Sequence, residues 1–156
     1  MTPRNRRRQR GFSLIELLIV IGIILVIAVI AVPKYNQAQM LAREMAVVQE
    51  IQTLHKAETQ YYSQFGKFAE NLNQLGPAPN NQPGPAAADL IPNELAKGVK
   101  NGYQYNVQAT KEGYSVTAVP LAYGNTGRRT FFSDQTMVVR QNWSNEPANA
   151  QSDEVK

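Results

Sequence analysis

From Phe12 to Val32 the chain runs for 21 residues with a single ionisable side chain, Glu16. As a helix rising about 1.5 Å per residue, this stretch reaches about 31 Å, which matches a bilayer hydrocarbon core of about 30 Å. Ahead of it stand Arg4, Arg6, Arg7, Arg8 and Arg10. Basic residues are held on the cytoplasmic side, so the N-terminus is expected in the cytoplasm and everything after Val32 across the membrane. A secretory signal has a shorter apolar core of about 7 to 15 residues ending in a small-residue cleavage site. Here Ala28, Ala31 and Val32 lead into Pro33, which makes ordinary signal cleavage the weaker reading. A plain membrane anchor fits the length but leaves Glu16 unexplained.

A carboxylate inside an apolar helix is costly unless it is paired. Glu16 lies one turn from Phe12 and can reach toward the headgroups, which is the bland account of it. Cleavage after Gly11 offers a sharper one. The new amine of Phe12 carries a positive charge, which the carboxylate of a neighbouring copy neutralises as helices pack side by side.

The run Gly11-Phe12-Ser13-Leu14-Ile15-Glu16 closely resembles the prepilin peptidase signature of the type IV pilin and pseudopilin family. The resemblance implies a cut after Gly11, N-methylation of Phe12, and a role for Glu16 in methylation and subunit docking. Pro33 and Tyr35 also match the family's pattern, so the likeness runs through residues 11 to 35. One departure concerns the helix-loosening glycine, commonly found where this chain has Leu25; here Gly22 stands one turn earlier. Gly22 and Pro33 are the expected ends of a softened helical segment, because glycine costs about 1 kcal/mol of helix stability relative to alanine and proline removes a backbone bond. Thr126 to Asp134 resembles the terminal hairpin of a bacterial pilin-like subgroup, with Met137 where a turn glycine is frequent.

The formal charge of +4 and pI near 9.4 suggest an anionic partner until the leader is set apart. Without its five arginines, the 16 basic residues become 11 against 12 acidic ones. No specific nucleic acid partner is expected from that balance, with Arg128, Arg129 and Arg140 the conceivable exception. The chain has no cysteine, so the exported part must be held by packing alone.

Beyond Pro33 the apolar residues Leu41, Met45, Val48, Ile51, Leu54, Tyr61 and Phe65 recur mostly at steps of three and four, an amphipathic pattern that Gly66 ends. The helix is expected from about Ser13 to Phe65, roughly 80 Å long at the standard rise. Five prolines between residues 77 and 92 rule out a long helix or central strand. Leu72 and Leu75 should pin that connector to the core, and a helical turn is expected at Asn93 to Ala96. From Gly102 the period becomes two. Tyr103 to Val107, Tyr114 to Ala118, Arg129 to Ser133 and Met137 to Gln141 read as four strands, with Trp143 closing one edge of the core.

The expected architecture is α+β: a long N-terminal transmembrane and amphipathic helix on a small four-stranded antiparallel sheet. Its parts are a basic leader (1–11), a membrane and filament-core helix (12–33), the amphipathic helix of a head (34–66), a Pro-rich connector (67–100), the sheet (101–143) and a polar, mobile tail (144–156). No zinc spacing, phosphate-cradling loop or Ser-His-Asp set can be assembled, so no enzyme, cofactor or metal is expected. His55 reads as a solvated or partly packed helix residue. Asp134, Glu146, Asp153 and Glu154 are too dispersed to supply the six to eight oxygens of a calcium site. Aromatics on the helix read as core or subunit contacts.

The function expected from the resemblance is a structural subunit of a bacterial type IV pilus. Its partners would be prepilin peptidase, further copies of itself in a helical homopolymer and an inner-membrane assembly platform. The precursor would sit in the inner membrane and the product in an extracellular filament. The alternatives are a type II secretion pseudopilin in a short periplasmic pseudopilus, and a single-pass anchored binding module that never polymerises.

Overall fold

The structure, a computed structural model, describes residues 11 to 156. The five arginines of the leader lie outside the described residues. Helix α1 spans Leu14–Phe65, 52 residues, with Pro33 inside it. The chain divides into two compact units, residues 1 to 37 and 38 to 156.

In the first unit α1 buries none of its most apolar 18-residue window, whose mean hydropathy is 3.3. It is long and apolar enough to cross a membrane. The helix is continuous through Gly22 and Pro33.

The second unit is built on the remainder of α1, which ends where expected. Gly66 takes a positive φ of 69° and donates its N–H to Tyr62 O at 2.8 Å, the left-handed stop that favours glycine. The buried face follows the one that hydropathy picks out from Ile51 to Tyr61 and departs from it at the N-terminal end. Leu41 and Met45 are exposed, whereas Met40, Glu44, Val47, Ile51, Leu54, Glu58 and Tyr61 are buried. These positions advance by strictly alternating steps of four and three, an unbroken stripe that includes two glutamates. A count of apolar residues slides one position off it at the N-terminal end.

The short helices α2 (Leu72–Leu75) and α3 (Asn93–Ala96) flank a 3₁₀ turn at Pro79–Asn81. Leu72 and Leu75 are buried as expected. Asn71 caps α2 by accepting from the backbone of Asn73 and Gln74. Ala88, Leu90 and Ile91 donate back to carbonyls of Gln74 and Leu75, which ties the connector down without a disulfide.

The sheet has six antiparallel strands in sequential order, not four: β1 Val99–Lys100, β2 Tyr103–Ala109, β3 Tyr114–Pro120, β4 Thr130–Asp134, β5 Arg140–Asn142 and β6 Asp153–Glu154. The two added strands are two-residue edges, too short to show a period of two. The C-terminal segment, expected to be a mobile tail, supplies β6 and buries Ala148. Pairing aligns Tyr105, Ala118 and Phe131 in one cross-strand row and Val107, Val116 and Ser133 in the next. All six side chains are buried, in one cluster with Val47, Ile51, Leu54 and Tyr61 for the apolar ones. Gly127 lies flat against the ring of Tyr103, with no room for a side chain. Met137 holds a positive φ of 62° in the β4–β5 turn, the strained conformation that explains why glycine suits this place. Trp143 does not close the core edge; it is 63% exposed.

Candidate functional site

The N-terminal unit presents the site residues of the expected cleavage and docking motif on one helix end. Phe12 is 90% exposed and lies outside α1. Ser13 stands immediately before the first helical residue, and Glu16 is the third residue inside. The Ser13 N–H donates to Glu16 Oε2 at 2.8 Å, and Leu17 N–H donates to Ser13 O at 3.2 Å. This is the glutamate half of a capping box, with the carboxylate facing the positive end of the helix dipole. The acid therefore has a use within its own chain that the apolar context concealed. Gly22 and Pro33 lie within α1, and nothing stands within 4 Å of where a Cβ on Gly22 would be.

A second cluster lies inside the C-terminal unit, and sequence reasoning missed it. His55 is not solvated but buried, with Nδ1 2.6 Å from Tyr114 Oη and Nε2 2.9 Å from Ser133 Oγ. Ser133 Oγ donates its one proton to Val138 O at 2.8 Å. It must therefore accept from Nε2–H, which leaves Nδ1 to accept from the tyrosine hydroxyl. The imidazole is neutral and both nitrogens are used. Burial lowers its pKa below 6.5, with Asp134 opposing in part. Burial likewise pushes Tyr114 up to about 12, helped by the charges of Glu58 and Asp134.

Glu58, one turn along, is fully buried. Its Oε2 accepts from Ala69 N–H at 2.9 Å, while Oε1 has no partner. Burial raises its pKa from 4.5 to about 7, and the Ala69 bond opposes only in part. The folded unit therefore holds this proton more tightly than the unfolded chain. The resulting stability is complete below pH 4.5 and is lost as pH rises through about 7. His55 acts in the opposite sense, costing stability as pH falls through its lowered pKa. Glu58→Gln keeps the acceptor for Ala69 and removes the titration. Its stability at pH 8 relative to pH 4.5 should exceed the wild-type difference by up to about 3 kcal/mol in urea unfolding. Parallel pH profiles for the two proteins would sink this account of Glu58.

Of the three arginines singled out, Arg129 and Arg140 are engaged through their side chains, and Arg128 through its backbone N–H. Arg129 Nε bonds Glu44 Oε2 at 2.8 Å, and its Nη1 bonds Gln141 Oε1 at 2.8 Å. Arg140 bonds Ser152 O and pairs with Glu154. Helix-face aromatics pair within the fold, Tyr61 with Phe65 and Tyr62 with Phe68, at 4.7 and 4.6 Å between ring centroids.

Residues 6 to 32 match the family model described as the prokaryotic N-terminal methylation motif. Over 76 residues the chain is 33% identical to the type IV major pilin protein PilA of Myxococcus xanthus, covering 49% of this chain and 34% of that one. Over this stretch the chain is similar to type IV major pilins. It is also 37% identical over 70 residues to the type IV major pilin protein PilE1 of Neisseria gonorrhoeae, covering 45% of this chain and 42% of that one. A fimbrial protein of Neisseria meningitidis is 32% identical over 74 residues, 47% of this chain and 44% of its own. The match thus spans less than half the length of each of these relatives. The capped helix start, the lone carboxylate and the exposed apolar surface fall within the matched motif.

Proposed function

We propose that this chain is the structural subunit of a bacterial type IV pilus, cut between Gly11 and Phe12 by prepilin peptidase, N-methylated on Phe12 and polymerised through its N-terminal helix. The observation that carries the reading is the apolar surface of residues 12 to 32. Its large side chains are 44% to 90% exposed, so the chain itself offers them no cover. A bilayer covers that surface before assembly and neighbouring copies cover it afterwards. Because lipid is as apolar as the subunit core, burial alone does not drive the transfer; packing and charge pairing must. Glu16 supplies the charge, pairing with the Phe12 amine of a neighbour and setting register. The stretch from Gly22 to Pro33 is the part that loosens on assembly, since glycine lowers helix stability and proline lacks a backbone donor.

The precursor sits in the inner membrane with its N-terminus cytoplasmic, is passed to an assembly platform and ends in an extracellular filament. The chain acts as a substrate and a building block, not as a catalyst. Ser133 offers no free nucleophile, since its proton is committed to Val138 O and His55 donates to it.

Intact mass and N-terminal sequencing of protein sheared from the cell surface test the proposal. The expected product begins at methylated Phe12 and sediments as filaments. An uncut chain retained in the membrane overturns it, and a cut, methylated chain confined to the periplasm assigns a secretion pseudopilus instead.

A further inference from the structure

The last strands of the sheet border a cleft of about 450 Å³ beside Trp143. Gln141, Asn142 and Trp143 form one wall, and Asn149, Gln151 and Asp153 belong to the other. The indole is exposed yet held in place. The Arg129 guanidinium lies 5.0 Å from its centroid, and the Trp143 carbonyl accepts the Tyr123 hydroxyl at 3.0 Å. The opposite wall is fixed by a turn in which Asn149 Oδ1 accepts from Gln151 N–H and Ser152 Oγ accepts from Asn149 N–H. β5–β6 pairing then sets Gln141 opposite Asp153. An aromatic face backed by Arg129 thus lies beside a wall whose backbone turn is fixed, which lowers the ordering cost of binding.

The lining chemistry selects the ligand class. No lysine or arginine lines the cleft, and its single charge is the carboxylate of Asp153, so an anion is disfavoured. The two nearby arginines are committed to Glu44 and Glu154. Gln141 is also spent, its oxygen on Arg129 and its nitrogen on Glu154 O. Three polar groups keep capacity. Asn142 uses only its nitrogen, on Glu146 O, while the Gln151 amide and the Asp153 carboxylate make no hydrogen bond among the described residues. Amides donate and accept together, which matches hydroxyl groups that do the same. An apolar ligand would leave these groups unpaired.

We propose that this cleft binds a neutral saccharide, with the Trp143 indole stacked on the C–H face of a sugar ring and Asn142, Gln151 and Asp153 bonding its hydroxyls. The site is complete within one chain and needs neither cleavage nor polymerisation, so it stands or falls separately from the filament reading. It also gives a use to the exposed Trp143.

Trp143 is the chain's one tryptophan, so all indole emission comes from the wall of this cleft. Full-length chain in a sugar-free detergent would be titrated with lactose, maltotriose and triacetylchitotriose, and with a sulfated heparin oligosaccharide. At least one neutral sugar should give a saturable emission change with millimolar or tighter affinity. Gln151→Ala and Asp153→Ala should each weaken it about fivefold while leaving the fold and the indole intact. Trp143→Phe, followed by calorimetry, should weaken it about tenfold without lowering Tm. The proposal is overturned if no neutral sugar saturates up to about 50 mM, if the Gln151 and Asp153 variants bind like wild type, or if the sulfated oligosaccharide binds more tightly than the neutral ones.

Discussion

Glu44→Ala is expected to lower the stability of residues 38 to 156 by about 3 to 5 kcal/mol and the Tm by about 10 to 20 °C. Glu44 is the most connected acid in that unit. Oε1 accepts from Arg128 N–H at 2.7 Å and Oε2 from Arg129 Nε at 2.8 Å, with the two paired side chains 5% and 11% exposed. It therefore ties α1 to the backbone and the guanidinium that lead into β4. Truncation strands a nearly buried cation with Gln141 as its remaining hydrogen-bond acceptor, and it strands a backbone N–H as well. Removing one partner of a buried pair costs more than the pair contributes, because the other charge stays desolvated. The paired change Glu44→Met with Arg129→Met should therefore recover much of the loss. Urea unfolding read by Trp143 emission reports on this site directly, since the indole packs on Arg129. A loss under about 1 kcal/mol in the single variant would mean that the bridge is solvated and that the unit is held by packing alone.

The same glutamate shows where the sequence was readable and where it was not. Helix α1, its stop at Gly66, the turn at Asn93 and the two central hairpin strands follow from period, glycine and proline, each of which acts locally. The polar members of the buried face of α1 do not. Glu44 and Glu58 occupy core positions because Arg129, Arg128 N–H and Ala69 N–H reach them from 11 to 85 residues away, and hydropathy carries no trace of such partners. His55 was misplaced for the same reason: Tyr114 and Ser133 become its neighbours only through strand pairing. The helical step from Ile51 and Leu54 to Glu58 and Tyr61 was present in the sequence, and it would have placed His55 beside the core had polar residues been admitted to the stripe. Trp143 failed in the opposite direction. Its hydrophobicity argued for the core, but it follows the last paired residue of β5, Asn142, and its ring is left exposed against Arg129. At the N-terminal site the motif falls within the matched residues 6 to 32, while the cap that Glu16 makes on Ser13 required the helix start to be known to the residue.

Glu16→Ala is expected to leave the subunit in the membrane at a level within about twofold of wild type, because removing a carboxylate makes the span more apolar. Filament yield should fall more than tenfold. The helix itself survives, since losing the cap on Ser13 costs only about 1 kcal/mol and α1 continues for many turns beyond it. The assembled state is where the loss is felt. Without Glu16 the Phe12 amine of the neighbour enters an apolar core unpaired, at several kcal/mol per subunit, and about 1.4 kcal/mol already suppresses association tenfold. Glu16→Gln separates the two roles the carboxylate can play. Glutamine at this position can accept from Ser13 N–H and keep the capping box, but it cannot neutralise an amine. If charge pairing governs assembly, the glutamine variant should fail as fully as the alanine one, with Glu16→Asp retaining part of the yield. Normal filaments from Glu16→Gln would leave helix capping as the function of this residue and remove the intersubunit pairing from the proposal.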